Sequence, residues 1–137
     1  MTWLFVLLTI LFWGSAPILE KLGLSKASPY EAIAIRTLVI AILVLFSSFI
    51  SGHLFSAFKL DSKTLIFVIV GGLFAGLLGQ YTYFMALRGS EASKVVPLTA
   101  AFPLVTAILG TVLLRESFSA PKLVGVFLII GGALLLR

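Results

Sequence analysis

Long uncharged stretches, separated by short charged segments, run through the whole chain. The longest uninterrupted ones are residues 1–19, 64–87 and 95–114, and two more contain one internal charged residue, Arg36 or Lys122. About 20 apolar residues cross the roughly 30 Å hydrocarbon core of a bilayer. The pattern therefore predicts an all-α membrane protein with five transmembrane helices. The predicted domain is residues 1–137, with helices at residues 2–20, 30–50, 64–87, 92–114 and 121–137.

Composition supports the same class. Hydrophobic residues make up 61% of the chain and charged residues 11%, whereas an average soluble domain has about 45–50% and about 25%. The net charge is +5, but the Lys and Arg residues lie singly at the ends of predicted helices. This is typical of membrane flanks and not of a nucleic-acid-binding surface. We therefore expect a multi-pass protein of a cell membrane with the lipid bilayer, and no nucleic acid, as its partner.

The basic residues are divided almost evenly between the two sides of the membrane. Six against four favours an outside N-terminus only weakly. The inner set is Lys21, Lys26, Arg36, Arg88, Lys94 and Arg137, and the outer set is Lys59, Lys63, Arg115 and Lys122. If Arg36 lies too deep to count, five remain against four. A bias this small is compatible with insertion in both orientations.

Two prolines, Pro97 and Pro103, interrupt the fourth predicted helix. Proline has no backbone N–H, so neither can bond the carbonyl four residues earlier, on Ser93 or Thr99. Because unsatisfied carbonyls are costly in hydrocarbon, broken backbone is tolerated where it is buried in protein or lines a polar cavity. One interpretation is a kinked helix whose Thr99 hydroxyl bonds the backbone. The other is a helix that borders a substrate path and bends during gating.

A few polar or aromatic side chains occur inside predicted helices. Arg36 lies roughly 9 Å into the second helix and either reaches back to the headgroups or faces a cavity, where it could pair with Glu20. Gln80 bonds either a neighbouring helix or a substrate. Trp13 is too far from either end of the first helix for the interfacial belt that tryptophan usually occupies.

No arrangement of catalytic residues is evident in the sequence. The chain has one histidine, His53, in a predicted connection, and no cysteine. A nucleophile with a partner base, a phosphate-binding loop and a metal-ligand spacing are all missing. The sequence therefore predicts no enzyme activity, no catalytic residue, no metal and no cofactor.

The motifs of the chain follow a recognisable order. The end of the third helix and the fourth read "YFMALRGSEASKVVPLTAAFPLVTAILGTVLLRESFS", which includes Pro103 and Glu116, and the fifth contains "GVFLIIGGALLL". Trp13 and Gly14 lie in the first helix and Arg36 in the second. Together these features resemble the EamA-type repeat of the drug/metabolite transporter superfamily over essentially the whole chain.

The resemblance implies a transporter. Larger members of the superfamily have ten helices in two repeats, whereas this chain has a single repeat, as do short five-helix bacterial and archaeal members. When a repeat has an odd number of spans, the next repeat in the chain lies upside down in the membrane. Two separate single-repeat chains form the same inverted-repeat arrangement if they pair as an antiparallel homodimer. The implied function is alternating-access transport of a small metabolite or drug-like solute. The alternative is a non-transporting partner subunit or assembly helper of another transporter.

The resemblance also suggests a substrate path. Trp13, Tyr83 and Phe102 are candidate aromatic walls of a central pocket, and Arg36 is the candidate group that attracts an anionic or zwitterionic substrate. The predicted path residues are Trp13, Arg36, Gln80, Tyr83, Thr99, Phe102 and Pro103.

Glycines of the fifth helix are the predicted dimer contact. Gly125 and Gly132 are seven residues apart and share one helix face. They resemble the glycine heptad with which the last helix of small multidrug resistance transporters joins two antiparallel subunits. The competing interpretation is that this face packs within the same chain.

One departure from those small transporters bears on the substrate. They carry a membrane-embedded glutamate in their first helix, where this chain has Trp13. The acidic residues here are expected at or beyond helix ends; they are Glu20, Glu31, Asp61, Glu91 and Glu116. Neutral, zwitterionic or weakly anionic metabolites are therefore favoured as substrates over aromatic cations exported by proton coupling.

Overall fold

Helices make up the regular structure of the chain. The computed structural model describes residues 2–117 and 119–135, except for the side chain of Lys122, and contains no strand within those ranges. The elements are, in order, α1 (Thr2–Leu24), α2 (Pro29–Ile50), α3 (His53–Ala57), α4 (Ser62–Gly72), a π segment (Leu73–Gly79), α5 (Gln80–Gly89), α6 (Ala92–Thr99), α7 (Phe102–Leu114) and α8 (Ala120–Leu134).

Four helical stretches of the described chain are long and apolar enough to cross a membrane: Thr2–Leu24, Pro29–Ile50, Ser62–Gly89 and Ala92–Leu114. They correspond to the first four predicted spans. The helix α8 has 15 residues, or about 22 Å, which is shorter than the hydrocarbon core. The fifth predicted span, residues 121–137, therefore stays a prediction, and its last two residues lie outside the described part.

The first helix continues four residues beyond its predicted end. It runs to Leu24, because Glu20 and Lys21 lower the hydropathy of the stretch without ending the helix. Both are good helix formers. The next helix begins with a capping box: the Ser28 hydroxyl accepts the Glu31 N–H at 3.2 Å, and the Ser28 N–H donates to the Glu31 carboxylate at 2.7 Å.

The start of α4 is capped by Asp61. Its carboxylate accepts the backbone N–H groups of Lys63 and Thr64 at 3.0 and 3.1 Å, and the Thr64 hydroxyl donates to its second oxygen. That hydroxyl bond, followed by the backbone bonds, holds the pKa of Asp61 below its ordinary value. A negative charge is favourable here because it faces the positive end of the helix dipole.

The described residues form two compact units, which are treated separately. The central unit comprises Glu20–Arg88, and its buried apolar side chains lie on the end of α1, on α2 and on α5; they are Leu24, Ile33, Phe84 and Leu87. The terminal unit comprises the described residues in 2–19 and 89–135. In that unit α6 packs against α8, and Val95 and Ala133 are buried.

A lysine of α1 closes the end of α5 in the central unit. The Nζ of Lys21 donates to the backbone carbonyl of Leu87 and, at 3.3 Å, to that of Arg88. The last carbonyls of a helix have no partner within it, and a cation near them also interacts favourably with the helix dipole. This link therefore fastens the end of α1 to the end of α5.

Replacing Lys21 with methionine tests the link, because Lys21→Met keeps the aliphatic stem and removes the donor. Hydrogen bonds to charged groups contribute about 1.5–3 kcal/mol, so we expect a lower unfolding temperature in mild detergent. The matched control is Lys26→Met, at an exposed lysine of the adjoining turn, which should unfold like the wild type. Equal unfolding temperatures for the two variants would contradict the link.

Candidate substrate path

Three polar side chains from three helices meet in the central unit. Oε1 of Glu20, in the last turns of α1, accepts a hydrogen bond from Nε2 of Gln80, the first residue of α5, at 3.3 Å. The same oxygen lies 3.9 Å from Nη1 of Arg36, in α2. We refer to Glu20, Arg36 and Gln80 as the polar cluster.

The cluster is partly shielded by protein. The exposed fraction of the side chain is 18% for Glu20 and 42% for Arg36. A carboxylate withdrawn from water needs a counter-charge and hydrogen-bond donors, which Arg36 and Gln80 supply. The ion pair is long, since charge-assisted hydrogen bonds are usually about 2.7–2.9 Å. The guanidinium, with five N–H donors, therefore has capacity beyond its contact with Glu20.

This arrangement can bind several ligand groups. Arg36 can take a carboxylate, Glu20 an ammonium, and the Gln80 amide a hydroxyl or carbonyl. Tyr83 lies three residues after Gln80 in α5, on the same helix face, and is half-buried with its ring centroid 6.2 Å from that of Phe84. The central unit thus places three of the predicted path residues, Arg36, Gln80 and Tyr83, near one carboxylate.

Sequence reasoning missed Glu20 as a site residue. Because the first helix was expected to end near residue 20, Glu20 was grouped with acidic residues at or beyond helix ends. That grouping is wrong for Glu20, which has a further turn of α1 after it. The signal that could have found it is that no proline follows Glu20 before Pro29, so the helix can continue to the turn at Ser25–Ser28. The Arg36–Glu20 pairing, one of two alternatives in the sequence, is present.

A break at the two prolines separates α6 from α7 in the terminal unit. The helix α6 ends at Thr99 and α7 begins at Phe102. Between them, the Ala101 N–H donates to the Leu98 carbonyl at 3.2 Å, an i→i−3 bond of the tighter 3₁₀ type. The predicted fourth helix, which spans Ala92–Leu114 as a whole, therefore has a two-residue break at Ala100 and Ala101, where φ is −64° and −74°.

The Thr99 hydroxyl bonds the backbone at this break, as one interpretation predicted. Its acceptor is the Val96 carbonyl, at 2.9 Å. The carbonyls that Pro97 and Pro103 leave without their usual donor are those of Ser93 and Thr99 itself. The hydroxyl therefore reinforces the last turn of α6 without replacing the bonds that the prolines remove.

An open groove of about 450 Å³ lies between α7 and α8 in the terminal unit. This volume is within the roughly 300–1,000 Å³ of small-molecule pockets. The walls are mainly apolar, and two of the predicted path residues, Phe102 and Pro103, border the groove together with Gly125. Its polar members are Thr106 and Glu116.

The turn after α7 directs Glu116 toward this groove. Arg115 adopts a left-handed conformation, with φ 54°, and the Glu116 N–H donates to the Gly110 carbonyl at 3.2 Å. This bond reaches back six residues to a carbonyl near the end of α7. A Cβ on Gly110 would lie 3.2 Å from Oε2 of Glu116. The absence of a side chain at Gly110 therefore makes space for the Glu116 carboxylate, which folds back over α7.

The remaining predicted path residue, Trp13, lies on the part of α1 that belongs to the terminal unit. Pro17 follows four residues later and cannot bond the Trp13 carbonyl, which joins those of Ser93 and Thr99 as a carbonyl that a proline leaves without its usual donor. Trp13 and Phe102 are 70% and 59% exposed. The aromatic pocket predicted for Trp13, Tyr83 and Phe102 stays a prediction.

Comparison with known proteins adds a family to these features. The family model of the EamA-like transporters matches residues 1–137. The chain belongs to the EamA-like transporter family. Membership confirms the resemblance seen in the motifs.

Two proteins are similar to this EamA-like chain in sequence. A Sinorhizobium protein described as an uncharacterized transporter in the cobO 3′ region is 29% identical over 136 residues, which cover 98% of this chain and 96% of that protein. An uncharacterized protein of Methanocaldococcus jannaschii is 34% identical over 76 residues, or 56% of this chain and 55% of that protein. No solved structure matches the chain.

Family and helices together establish the general class. An EamA-like transporter with four apolar helices of spanning length is a multi-pass membrane protein in contact with lipid. The family and the transporter-named relative point to transport rather than catalysis.

Proposed function

We propose that the chain transports a small metabolite or drug-like solute by alternating access, as an antiparallel homodimer in a prokaryotic plasma or inner membrane. The observation that carries this proposal is the polar cluster. A charged side chain within a spanning helix is costly, and such residues usually mark substrate or ion pathways. Here Glu20 and Arg36 come from two spans and Gln80 from a third.

The cluster also suggests the kind of substrate. A solute with a carboxylate can engage the spare donors of Arg36, and an additional amine can engage Glu20. Neutral solutes with hydroxyl or amide groups can use Gln80. Zwitterionic, neutral or weakly anionic metabolites therefore fit the central unit, while a lone organic cation would leave the guanidinium without an anion from the ligand.

The path itself is proposed to include the interrupted helix. Backbone that departs from the α-helix at membrane depth is tolerated where it is buried in protein or lines a cavity, and the break lies next to the groove bordered by Phe102 and Pro103. The proposed path residues remain Trp13, Arg36, Gln80, Tyr83, Thr99, Phe102 and Pro103, with Glu20 added from the geometry.

The antiparallel dimer rests on the predicted fifth span and is supported by charge. The helix α8 is only about 22 Å long. If it is the fifth span, the bilayer thins locally or the side chains that flank the helix reach outward to the headgroups. Five spans place the chain termini on opposite sides, so two oppositely inserted copies form an inverted pair. The near balance of flanking Lys and Arg residues is compatible with both insertions.

Glycines of α8 are the proposed contact between the two copies. A Cβ built on Gly125 or Gly132 meets no heavy atom of the described residues within 4 Å. The packing of this chain therefore does not itself require glycine at either position, and Gly132 is exposed. Small residues let the backbone of a partner helix approach closely in a membrane.

The competing proposal is that the chain is a partner subunit or assembly helper of another transporter. The same cluster could then stabilise contacts between helices without binding a solute. Flux by the purified chain alone distinguishes the two proposals, because a helper moves no solute without its partner.

Arg36 is predicted to be needed for flux of carboxylate-bearing solutes. We expect the purified wild type in liposomes to move at least one class among amino acids, nucleosides and organic acids. We expect Arg36→Ala to weaken carboxylate transport about 10- to 100-fold, the equivalent of about 1.5–3 kcal/mol for a charged hydrogen bond. The exposed control Lys26→Ala should transport normally.

A double variant distinguishes loss of substrate recognition by Arg36 from the effect of leaving the Glu20 carboxylate unpaired. In Arg36→Ala, the Glu20 carboxylate loses its counter-charge, and this alone could impair the protein. Arg36→Ala with Glu20→Gln removes both charges. If the double variant recovers carboxylate flux, Arg36 is only the counter-charge of Glu20. If it stays impaired while the flux of neutral solutes continues, Arg36 contacts the substrate.

Dual insertion is predicted to expose Lys59 on both membrane faces. The chain has no cysteine, so Lys59→Cys in the exposed connection before α4 is a unique label site. In sealed vesicles, we expect a membrane-impermeant thiol reagent to label about half of the protein, and the rest after permeabilisation. Complete labelling or complete protection before permeabilisation would rule out dual insertion.

Gly132→Leu is predicted to weaken the dimer. Overpacking a close contact costs about 1–3 kcal/mol, so cross-linking in mild detergent should show more monomer while the monomer remains helical. The control is Gly14→Leu, the same change at a glycine of α1 whose Cβ also meets nothing within 4 Å. An undiminished dimer, or a Gly132→Leu chain that unfolds, would assign Gly132 to another contact.

A further inference from the structure

The third span contains a π segment between two α-helices. Leu73–Gly79 forms seven residues of i→i+5 hydrogen bonding between α4 and α5. π-helical turns are rare, they usually occur as short bulges inside α-helices, and they are frequent at functional sites. A π turn contains about one residue more than an α-helical turn that joins the same two helices, here α4 and α5.

A glycine makes this register possible. A Cβ on Gly79 would lie 2.8 Å from the carbonyl oxygen of Phe74, five residues earlier. Because that oxygen belongs to the backbone, it cannot turn aside as a flexible side chain does. By contrast, a Cβ on Gly76, within the same segment, meets nothing within 4 Å. Any side chain at position 79 therefore disfavours the π register, while one at position 76 does not.

One flank of the π segment is firmly held. Phe84 and Leu87 of α5 are buried in the central unit. The Lys21 side chain bonds the carbonyl of Leu87, and Gln80 bonds Glu20. Rotation of α5 would break all of these contacts.

The other flank is not held in this way. No residue of α4 or of the π segment is buried. A rotation of α4 about its own axis therefore exchanges i→i+5 for i→i+4 backbone bonds and removes no buried side-chain contact. Glycine at positions 71, 72, 76 and 79 also leaves this stretch without the side chains that stabilise one helical register.

We propose that the π segment is a register switch, in which α4 turns on the anchored α5 when the π turn relaxes to α. The angle per residue of an α-helix is about 100° and the rise is 1.5 Å, so one residue of register change rotates α4 by about 100° and shifts it by about 1.5 Å. At a side-chain radius of roughly 5–6 Å, a surface position moves by roughly 8 Å. The switch leaves the polar cluster in place and changes which side chains of α4 lie on a given side of that helix.

Distances between spin labels test the switch in the wild-type backbone. The chain has no cysteine, and exposed positions are available on α1 at Leu22 and on α4 at Phe67 and Ile69. Phe67 and Ile69 are about 200° apart around the helix. In liposomes, we expect each pair with Leu22 to show two distance populations separated by several ångströms, and the two pairs to shift in opposite directions when the register changes.

Two glycine substitutions provide the matched comparison. Gly79→Ala should remove the π population and leave the relaxed one, whereas Gly76→Ala should keep both populations in the wild-type manner. Deleting Leu77 in the Gly79→Ala background removes the extra residue, so an α-helix then joins the flanks in their π-state orientation. We expect this deletion to restore the distances of the π population.

The outcomes are decisive without knowledge of a substrate. A single distance population in the wild type, or a Gly79→Ala distribution equal to that of the wild type, overturns the switch. If Gly79→Ala does not fold, the wild-type distributions and the deletion variant still decide the question. The inference concerns the helix itself, so it holds or fails independently of whether the chain transports a solute.

Discussion

In hydrocarbon, backbone N–H and C=O groups have no water to bond, and this constraint shapes the described structure. Long α-helices satisfy it through their own hydrogen bonds, and the helix ends are completed by specific groups. Ser28 caps α2, Asp61 caps α4, and Lys21 bonds the final carbonyls of α5. Among the described residues, Pro17 removes one N–H donor from the continuous helix α1, and the backbone leaves the α pattern at the α6–α7 break and in the π segment. Each departure frees or shifts carbonyls, and the break lies beside a groove.

The second constraint is the cost of charge inside a spanning helix, about 2.5–3.5 kcal/mol at the centre on insertion scales. Glu20 and Arg36 reduce this cost because they lie within a few turns of helix ends and neutralise each other. The Gln80 amide adds a donor to the carboxylate. A pair 3.9 Å apart is poorly optimised as a structural ion pair. This looseness is what a substrate group needs in order to compete for Arg36.

The sequence predicts most of the fold but only part of the site. Run lengths locate four spans, and Pro97 and Pro103 predict a kink or bend in the fourth, since a missing N–H has a direct backbone consequence. The sequence placed Glu20 at the end of the first helix because the first charged residue marks where the apolar stretch stops. Whether the helix continues beyond that residue depends on the helix propensities of the following residues and on the position of the next helix-breaking residue. The π segment could not be predicted, because i→i+5 and i→i+4 bonding use the same residues. The role of Gly79, where a side chain would clash with the Phe74 carbonyl, is visible only in the structure.

The glycines show why spacing alone is a weak guide in a membrane protein. The seven-residue spacing of Gly125 and Gly132 and the four-residue spacing of Gly72 and Gly76 are both typical of closely packed helix faces. A Cβ built on any of these glycines nevertheless meets no atom of the described residues within 4 Å. The glycine that meets its own backbone is Gly79. A small residue inside a helix can thus serve a neighbouring helix, a partner chain or the helix's own register. The three roles differ in what a Cβ would contact: another span, nothing in the single chain, or a carbonyl five residues earlier. Gly125 of α8 also borders the groove beside α7, so at this position the missing side chain widens a space within the chain itself.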